Sequence, residues 1–587
     1  MGSVISVVHE SYKIISAAIK TLLALNADYQ ELLARAAKPP GLPASAPTQP
    51  YWLQDPPFPE LVDARSEKLP ESADVAIIGS GITAAAVARA LLLEAQRKNA
   101  PLERVVVLEA RQLTSGATGR NGGHIKPSSY ADFAQLRKKF GPDRAAAIVR
   151  FQRQHLTHIP HLCRAERFDI AECRHVETVD LFLDTASFER RSKEVDELKN
   201  AVPEAEHTIR DSKETQKAFH TSSQVVGSIA YPAAALWPYR FVASVWHSLL
   251  TQFPSTLSIE TSTPVERIAS AASDNHHHHP FLCHTPRGVV RARHVVHATN
   301  AFASHLVPGL RTKMTGLRAH MSAQRPGTAF VSDPAGARSW GIMYGAGFDY
   351  VTQRPAAAAA TTTTTTTKAA GPGTSPSDDL GQPSDGGAEG GEARAGGEEG
   401  GGGGDILLGG GFLRSLKQGL DQTAVWDDSR LDALTATHLN GVLPAVFGPR
   451  HWGPDAPGGR LKSMWSGTIC FTADAVPFVG RVDPRLTGRS VGVGKADAAE
   501  RREGVVEAGV EPGEWIAAGY HGDGMIYAWL CGTAVGLMLA GSEDDEGLPD
   551  RPGLPGGKVD AWLPRELRIS YDRVKGLSLA DLADEME

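Results

Sequence analysis

Asp74-Val75-Ala76-Ile77-Ile78 is a short apolar run that leads without a break into Gly79-Ser80-Gly81-Ile82-Thr83-Ala84. A run of this length and content reads as a parallel strand buried on both faces. The residues after it match G-x-G-x-x-G/A. Gly79 allows the tight turn, Gly81 lets a pyrophosphate approach the backbone, and Ala84 permits close helix packing, with Ser80, Ile82 and Thr83 completing the loop. The helix expected over 84–96 turns its free N–H groups and positive dipole end toward the phosphates. Val105-Val106-Val107-Leu108 then reads as a second strand ending at Glu109, the acid expected to hold a ribose. Glu109 comes later than the usual spacing because the basic loop 97–104 intervenes. Strand, glycines, helix, strand and acid in that order predict a dinucleotide-binding unit, and leave NAD and FAD both open.

The chain of 587 residues exceeds the roughly 250–300 residues at which single cores stop growing, so two or more domains are expected. Its 60 basic and 67 acidic residues give a net charge of -7 without a long basic stripe, which argues against nucleic acid as a partner. Five cysteines at irregular spacing fit a reducing compartment better than a disulfide framework or a zinc site. No apolar run approaches the ~20 residues needed to cross a bilayer, and no secretory signal opens the chain, so a soluble cytoplasmic protein is expected. Met1, Gly2 and Ser6 match the acceptor pattern for N-myristoylation. Membrane contact is expected only if Gly2 carries that lipid, and one chain would anchor weakly and reversibly. The oligomeric state is not encoded in any of these patterns.

The first element is an amphipathic helix within 1–38, with Ile14, Ile15, Ala18, Ile19, Leu22, Leu23 and Leu25 on its apolar side. A proline-rich extended linker follows over 39–72, and Tyr51 and Trp52 are expected to pin it to the globular body. Residues 356–404 run through alanine, a threonine tract and glycine-glutamate repeats, a composition too polar to offset its ordering entropy, and are expected to be disordered. The flanks Tyr350-Val351-Thr352-Gln353-Arg354 and Ile406-Leu407-Leu408-Gly409 read as two strands of one hairpin with an inflated turn. Polar stretches at 273–279 and 492–511 read as further exposed loops. His276 to His279 are adjacent on one such loop and cannot form a fixed coordination polyhedron, so no metal is expected.

Directly after Glu109 comes Ala110-Arg111-Gln112-Leu113-Thr114-Ser115-Gly116-Ala117-Thr118-Gly119-Arg120-Asn121-Gly122-Gly123-His124. This stretch resembles the D-amino acid oxidase superfamily of FAD-dependent oxidoreductases. Its ATGRNGGH string is most similar to the branch with gamma-glutamylputrescine oxidoreductase and fungal FAD-dependent oxidoreductases. The resemblance spans most of 51–570 and implies that Ala110, Arg111, Thr118, Gly119, Arg120, Asn121, Gly122 and Gly123 pass beside the pyrophosphate and isoalloxazine. It further implies that Val265 of Thr263-Pro264-Val265 meets the adenine, and that Ala298-Thr299-Asn300 returns to the nucleotide. Leu236-Trp237-Pro238-Tyr239-Arg240 resembles a helix start beside the flavin, and Thr472-Ala473-Asp474-Ala475-Val476-Pro477 a strand and turn near its ring. Gly522, Asp523, Gly524 and Met525 in Gly519-Tyr520-His521-Gly522-Asp523-Gly524-Met525 resemble the closing motif. A helix N-terminus there would meet the negative charge that gathers on a reduced flavin.

Where some relatives attach flavin through a cysteine this sequence has Gly467, and where others use a histidine it has Arg120, so the resemblance implies non-covalent FAD. The implied activity is oxidation of a C–N bond in an amine or amino acid by hydride transfer to flavin N5, with the protein orienting the substrate and excluding water. His124, Arg318, His320, Tyr350 and Arg354 are the candidate pocket residues, and Trp465 a candidate wall. Arg318 and Arg354 could hold a substrate carboxylate through a bidentate fork. Two other readings remain at this point: an NAD-dependent dehydrogenase, and a non-catalytic or membrane-tethered flavoprotein scaffold.

The expected fold is α/β, a discontinuous Rossmann-type FAD-binding domain with an interleaved mixed-sheet α+β substrate domain. The FAD-binding parts are expected at 73–130, 222–302 and 461–541, and the substrate parts at 131–221 and 303–460, with a C-terminal extension at 542–587.

Overall fold

The computed structural model describes residues 26–271, 278–331, 333, 335–345, 347–356, 404–489, 510–578 and 581. Its strands begin with β1 (Ser72–Ile78), β2 (Val105–Leu108), β3 (His124–Ile125), β4 (Arg174–Phe182), β5 (Thr208–Asp211), β6 (Gly227–Ala235), β7 (Leu257–Glu260), β8 (Arg267–Ser270) and β9 (Phe281–Thr285). They continue with β10 (Gly288–His297), β11 (Met314–Gln324), β12 (Arg338–Tyr344), β13 (Gly347–Gln353), β14 (Ile406–Gly410), β15 (Leu461–Thr472), β16 (Phe478–Arg481) and β17 (Gly513–Ala518). The helices that matter for the site are α1 (Ile82–Arg97), α2 (Ser129–Phe140), α3 (Pro142–Ala165), α4 (Pro238–Gln252), α5 (Ala433–Trp452) and α6 (Ala528–Leu539).

The first sheet runs β16-β17-β10-β1-β2-β7. Its five strands from β17 to β7 are parallel, and β16 pairs antiparallel at the edge. The long β10 serves two partners, pairing antiparallel with β9 through Gly288 to Ala292 and parallel with β1 from Arg291 to His297. Strands β1 and β2 are apolar on both faces because both faces are covered. Val75, Ile77, Val105 and Val107 join the core that holds the helices, while Ala76, Ile78, Val106 and Leu108 pack with Val265, Ile268, Phe281 and Val290 on the other side.

Close packing of α6 on α1 follows from two glycines one turn apart. A Cβ on Gly532 would lie 2.6 Å from the Thr83 carbonyl oxygen and 2.9 Å from Ala86 Cβ, and one on Gly536 2.6 Å from the Val87 carbonyl oxygen and 2.7 Å from Ala90 Cβ. Small residues on both sides let the two backbones approach, which fixes α1 beneath the glycine loop.

The second sheet runs β15-β11-β14-β13-β12-β4-β6-β3, with β5 added to β6; β12 and β4 are parallel and the other neighbours antiparallel. Val179, Leu181, Trp340, Ile342, Val351 and Leu408 bury one face against Leu439, Leu443, Val446 and Phe447 of α5. The other face turns toward the loop after β2, where Thr352 Oγ1 donates to the Gly122 carbonyl at 2.8 Å. The two sheets give the expected α/β architecture of a Rossmann-type domain and a mixed-sheet domain. Three strands within the ranges expected for the FAD-binding parts, β3, β6 and β15, lie in the second sheet. The eleven-residue pairing of β15 with β11 fixes its place there, a long-range partnership that local pattern does not carry.

The expected hairpin is present, with β13 and β14 antiparallel from Asp349↔Gly410 to Gln353↔Ile406. The stretch between them at 357–403 lies outside the described residues, as do Gly2, His276, His277 and the loop at 490–509. The N-terminal segment is helical over 26–36, and Arg35 Nη2 donates to the Leu420 carbonyl at 2.6 Å. Tyr51 and Trp52 are buried with Trp237, Tyr239, Met321 and Trp465, which pins the proline-rich stretch to the body. The C-terminal extension docks on β16, where Ile569 N donates to the Val479 carbonyl at 2.9 Å, and Arg573 Nε donates to Asp474 Oδ2 in the preceding turn at 2.7 Å. Among the described residues no helix is long and apolar enough to cross a membrane, and no group of His, Cys, Asp and Glu could hold a metal ion.

Gly536→Leu should force α6 off α1 and lower stability by about 2 kcal/mol or more, at the upper end of ordinary overpacking. Thermal unfolding checks this, with the melting temperature expected to fall and flavin retention to fall with it.

Candidate active site

Gly79 sits where β1 meets α1 with φ +101, and a Cβ there would lie 2.8 Å from the Ala298 carbonyl oxygen. Only glycine meets both demands without strain. Gly81, the N-cap of α1, offers no side chain, and a Cβ on it would lie 2.9 Å from Thr118 Oγ1. That hydroxyl accepts the Ile82 N–H at 3.1 Å, and no other side chain among the described residues caps the first turn. The helix therefore presents an open, positively polarised N-terminus.

Ser80 is held from three sides. Its N–H and hydroxyl donate to Glu109 Oε2 at 3.0 and 2.7 Å, Thr114 N donates to its hydroxyl at 2.8 Å, and Trp246 Nε1 donates to its carbonyl at 2.9 Å. Glu109 stands at the end of β2, and its Oε1 takes the Arg111 N–H at 2.9 Å. Thr263 N donates to the Glu109 carbonyl at 2.7 Å, which places the Thr263-Pro264-Val265 turn alongside it, with Val265 buried. Ser115 Oγ and Thr299 Oγ1 are buried without a protein partner in the loops that converge on Gly79 and Ser80. Two orphaned hydroxyls, an uncapped helix end and a glycine cradle fit the pyrophosphate and ribose of a dinucleotide.

Arg111 and Arg120, both expected at the cofactor, direct their guanidinium groups to Asp428 instead, at 3.0 and 3.3 Å. Arg120 also donates to the Ser466 and Thr48 carbonyls at 2.7 and 2.9 Å. Burial pushes Arg120 down to about 10, with Asp428 opposing, so it stays charged at neutral pH. The backbone of this loop is what reaches the cleft. Gly119 is wedged against the Thr114 carbonyl, where a Cβ would lie 2.6 Å away, and Ala110 simply continues the turn after Glu109. Asn121 Nδ2 donates to the Thr118 carbonyl at 3.1 Å and reaches Met525 Sδ at 3.6 Å, while its Oδ1 accepts the Gly123 N–H at 2.7 Å.

The closing motif comes in from the opposite side. Asn300, at φ +44, accepts the Gly519 N–H through Oδ1 at 3.0 Å, which joins the Ala298-Thr299-Asn300 turn to this motif. Tyr520 OH shares a hydrogen bond with Thr83 Oγ1 at 2.7 Å, and Gly522, at φ +86, donates its N–H to the Cys470 carbonyl at 3.0 Å. Gly522 and Asp523 are exposed, although Tyr520 and Met525 on either side are buried. Gly524 opens a single 3₁₀ turn that leads into α6.

Tyr350 lies between two glycines: a Cβ on Gly122 would be 2.6 Å from its ring and one on Gly409 2.5 Å. Its hydroxyl reaches only the Met321 thioether, at 3.0 Å, and burial holds it well above the ordinary phenol range, hence protonated. Trp465 completes this wall and donates to the Arg120 carbonyl at 2.8 Å. His124 is buried with Nε2 on Ser339 Oγ at 2.9 Å and Nδ1 unpartnered, and burial keeps it neutral.

The remaining candidates point elsewhere. Arg318 Nε donates to Gln422 Oε1 at 2.9 Å and His320 Nε2 accepts the Asp432 N–H at 2.8 Å, so both occupy the face of β11 opposite Met321. Burial pushes His320 down to about 4. Arg354 makes a fork with Glu172 at 3.1 and 2.6 Å, donates to Tyr51 OH and lies over the Trp237 ring at 4.5 Å. Its guanidinium is already occupied. The structure thus sets Tyr350 against Gly122 of the loop after β2 and His124 on Ser339 of β12, and engages Arg318, His320 and Arg354 with Gln422, Asp432 and Glu172.

Sequence reasoning missed a buried polar cluster between α2, β4 and β6. Lys126 Nζ pairs with Asp180 Oδ1 at 2.5 Å, and Asp180 Oδ2 accepts Tyr130 OH at 2.5 Å and Tyr231 OH at 2.7 Å. The one signal was an acid inside the apolar run Val179-Asp180-Leu181-Phe182.

A protein-family profile described as FAD dependent oxidoreductase matches residues 74–536. Among solved structures, the chain is similar to glycine oxidase from Geobacillus kaustophilus, with TM-score 0.51 and 15% identity over 80% of this chain and 95% of that one. It is similar to L-amino acid deaminase from Proteus myxofaciens in complex with anthranilate, with TM-score 0.52 and 13% identity over 87% and 96%. Iminodiacetate oxidase from Chelativorans sp. BNC1 is likewise similar, with TM-score 0.51 and 16% identity over 82% and 99%. No curated protein sequence matches the chain.

Asp428→Ala should leave buried Arg120 and half-buried Arg111 without their shared counter-charge and lower stability by about 3 kcal/mol or more. Chemical denaturation checks this. Asp428→Asn, which keeps an acceptor, should lose less.

Proposed function

The chain belongs to the FAD-dependent oxidoreductase family, and from this we infer that it oxidises a C–N bond of an amine or amino acid, with FAD held non-covalently. The observation that carries the reading is the nucleotide cradle of Gly79, Gly81 and Glu109, with the Asn121 loop meeting the closing motif where Asn121 Nδ2 reaches Met525 Sδ at 3.6 Å. The residues present fit FAD: Gly79, Gly81 and the α1 N-terminus for the pyrophosphate, Glu109 for a ribose, and the Gly522 loop beside the ring. When bound, FAD supplies a two-electron acceptor for hydride from the carbon next to nitrogen.

The protein's own residues orient substrate and exclude water. Tyr350 and Trp465 form an apolar wall with one protonated hydroxyl, and neutral His124 adds no charge. The amine must lose its proton before hydride can leave, because the lone pair drives the departure, and the resulting imine then hydrolyses in water. The non-covalent reading rests on the two positions where relatives attach flavin: a Cβ on Gly467 would lie 3.1 Å from Arg120 Cβ, so glycine and arginine here face each other. The names of the similar structures, glycine oxidase, L-amino acid deaminase and iminodiacetate oxidase, support C–N chemistry.

Purified protein should show the twin absorbance bands of oxidised flavin and release all of it into the supernatant on acid precipitation. Pools of amines and amino acids mixed in without oxygen should bleach those bands. Flavin that stays with the precipitate overturns the non-covalent reading, and failure of every pool to bleach the bands overturns the C–N reading.

A further inference from the structure

Backbone polar groups inside a protein are paired almost without exception, so an unpaired one marks where a partner belongs. In the loop after β2, four consecutive carbonyls are taken from four different directions. Trp465 Nε1 donates to the Arg120 carbonyl at 2.8 Å, Trp52 Nε1 to that of Asn121, Thr352 Oγ1 to that of Gly122 at 2.8 Å, and Leu236 N to that of Gly123 at 2.9 Å. The N–H groups fare differently. Arg120 N donates to the Ala117 carbonyl at 3.2 Å and Gly123 N to Asn121 Oδ1 at 2.7 Å. Between them, the Asn121 and Gly122 N–H groups have no acceptor among the described residues, although Gly122 is buried.

A planar trans peptide points its C=O and N–H in opposite directions, and no peptide bond among the described residues is cis. Trp52 and Trp465, both almost fully buried, lie in one cluster with Tyr51, Trp237 and Met321. The Arg120 and Asn121 carbonyls therefore turn into that cluster, and the Asn121 and Gly122 N–H groups turn away from it. Trp52 is itself held, since its carbonyl accepts Trp237 Nε1 at 2.9 Å and Trp237 lies between the guanidinium groups of Arg354 and Arg240 at 4.5 and 3.7 Å. We propose that the Asn121 and Gly122 N–H groups donate to the ring of bound FAD, and that Trp52 and Trp465 are positioning residues that keep both peptides in the donating orientation. This rests on the FAD reading. Negative charge gathers on the ring when it is reduced, so two fixed donors favour the reduced form over the oxidised one and raise the flavin potential. The family match begins at residue 74, so Trp52 reaches the site from a segment outside it. Prolines keep that segment extended, and Thr48 N anchors it on the Asp428 carbonyl at 2.9 Å. The proline-rich stretch is thereby a strap across the back of the flavin loop.

The test uses the full-length protein loaded with FAD. Trp52→Phe and Trp465→Phe keep an aromatic ring and delete the indole N–H, and Trp340→Phe, in the core between the second sheet and α5, controls for a lost buried indole. Each of the first two should lower the two-electron midpoint potential by about 30 mV, a tenfold shift in the ratio of reduced to oxidised flavin, and move the flavin absorbance bands. Trp340→Phe should lower the melting temperature and leave the potential where it is. An unchanged potential in either Trp52→Phe or Trp465→Phe, or an equal fall in Trp340→Phe, overturns the proposal while bound flavin leaves the FAD reading standing. If neither variant retains flavin, hydrogen exchange of the wild type decides. The Asn121 and Gly122 amides should exchange faster in the apoprotein than with FAD bound, and equal exchange in the two states overturns the proposal. Wild-type protein that binds no FAD removes the FAD reading itself.

Discussion

Asp428 holds the two sheets of this protein together. The arginines that share its carboxylate, Arg111 and Arg120, follow β2 of the nucleotide sheet, whereas Asp428 precedes α5 of the second domain. Two positive charges on one negative charge would leave an excess in a buried place, were the remaining N–H groups not satisfied. Carbonyls of Ala44, Thr48, Ser115 and Ser466 supply those partners, drawn from the proline-rich stretch, the loop itself and β15. A buried network of this kind is stable when complete and costly when broken, and it fixes the loop 109–124 from outside while its backbone faces the cleft from inside. The cofactor cradle is therefore rigid because charges behind it are paired.

The second constraint is steric. Gly532 and Gly536 bring α6 onto α1, and α6 is the helix that the Gly522 loop feeds. The glycine turn at the nucleotide and the Gly522 loop thus hang from one helix pair, and the Thr83–Tyr520 hydrogen bond links them again at their near ends. The Gly79 turn and the Gly522 loop are held in register by packing between residues far apart in sequence.

What could be read from the sequence was local. An apolar run ending in two glycines specifies a buried strand and an uncapped helix start, and β1, α1, β2 and Glu109 appear where that pattern puts them. The β13–β14 hairpin was legible because both arms are strand-like and the chain between them is not. The destinations of charged side chains were not legible. Arg354 turns to Glu172 and Arg111 to Asp428 because those partners arrive from distant segments, and no local spacing encodes them. Arg318 and His320 could not be assigned to a face of β11, since both faces of that strand are covered and the usual apolar–polar alternation is missing. Lys126 and Asp180 were passed over because one charge in a strand carries no periodic signal.

The β13–β14 hairpin has its own consequence. Arg354 and Asp405 close the ladder with an N–H to carbonyl bond at 2.9 Å, and Gly404 returns one to Arg354 at 3.2 Å. The chain therefore departs and re-enters through neighbouring points already fastened to each other. Whatever occupies 357–403 is tethered at both ends by the sheet, and loop-closure entropy changes only slowly with its length. Insertion and enzyme can then diverge separately: sequence may drift, lengthen or be exchanged for a folded module at this junction while the flavin site keeps the same geometry.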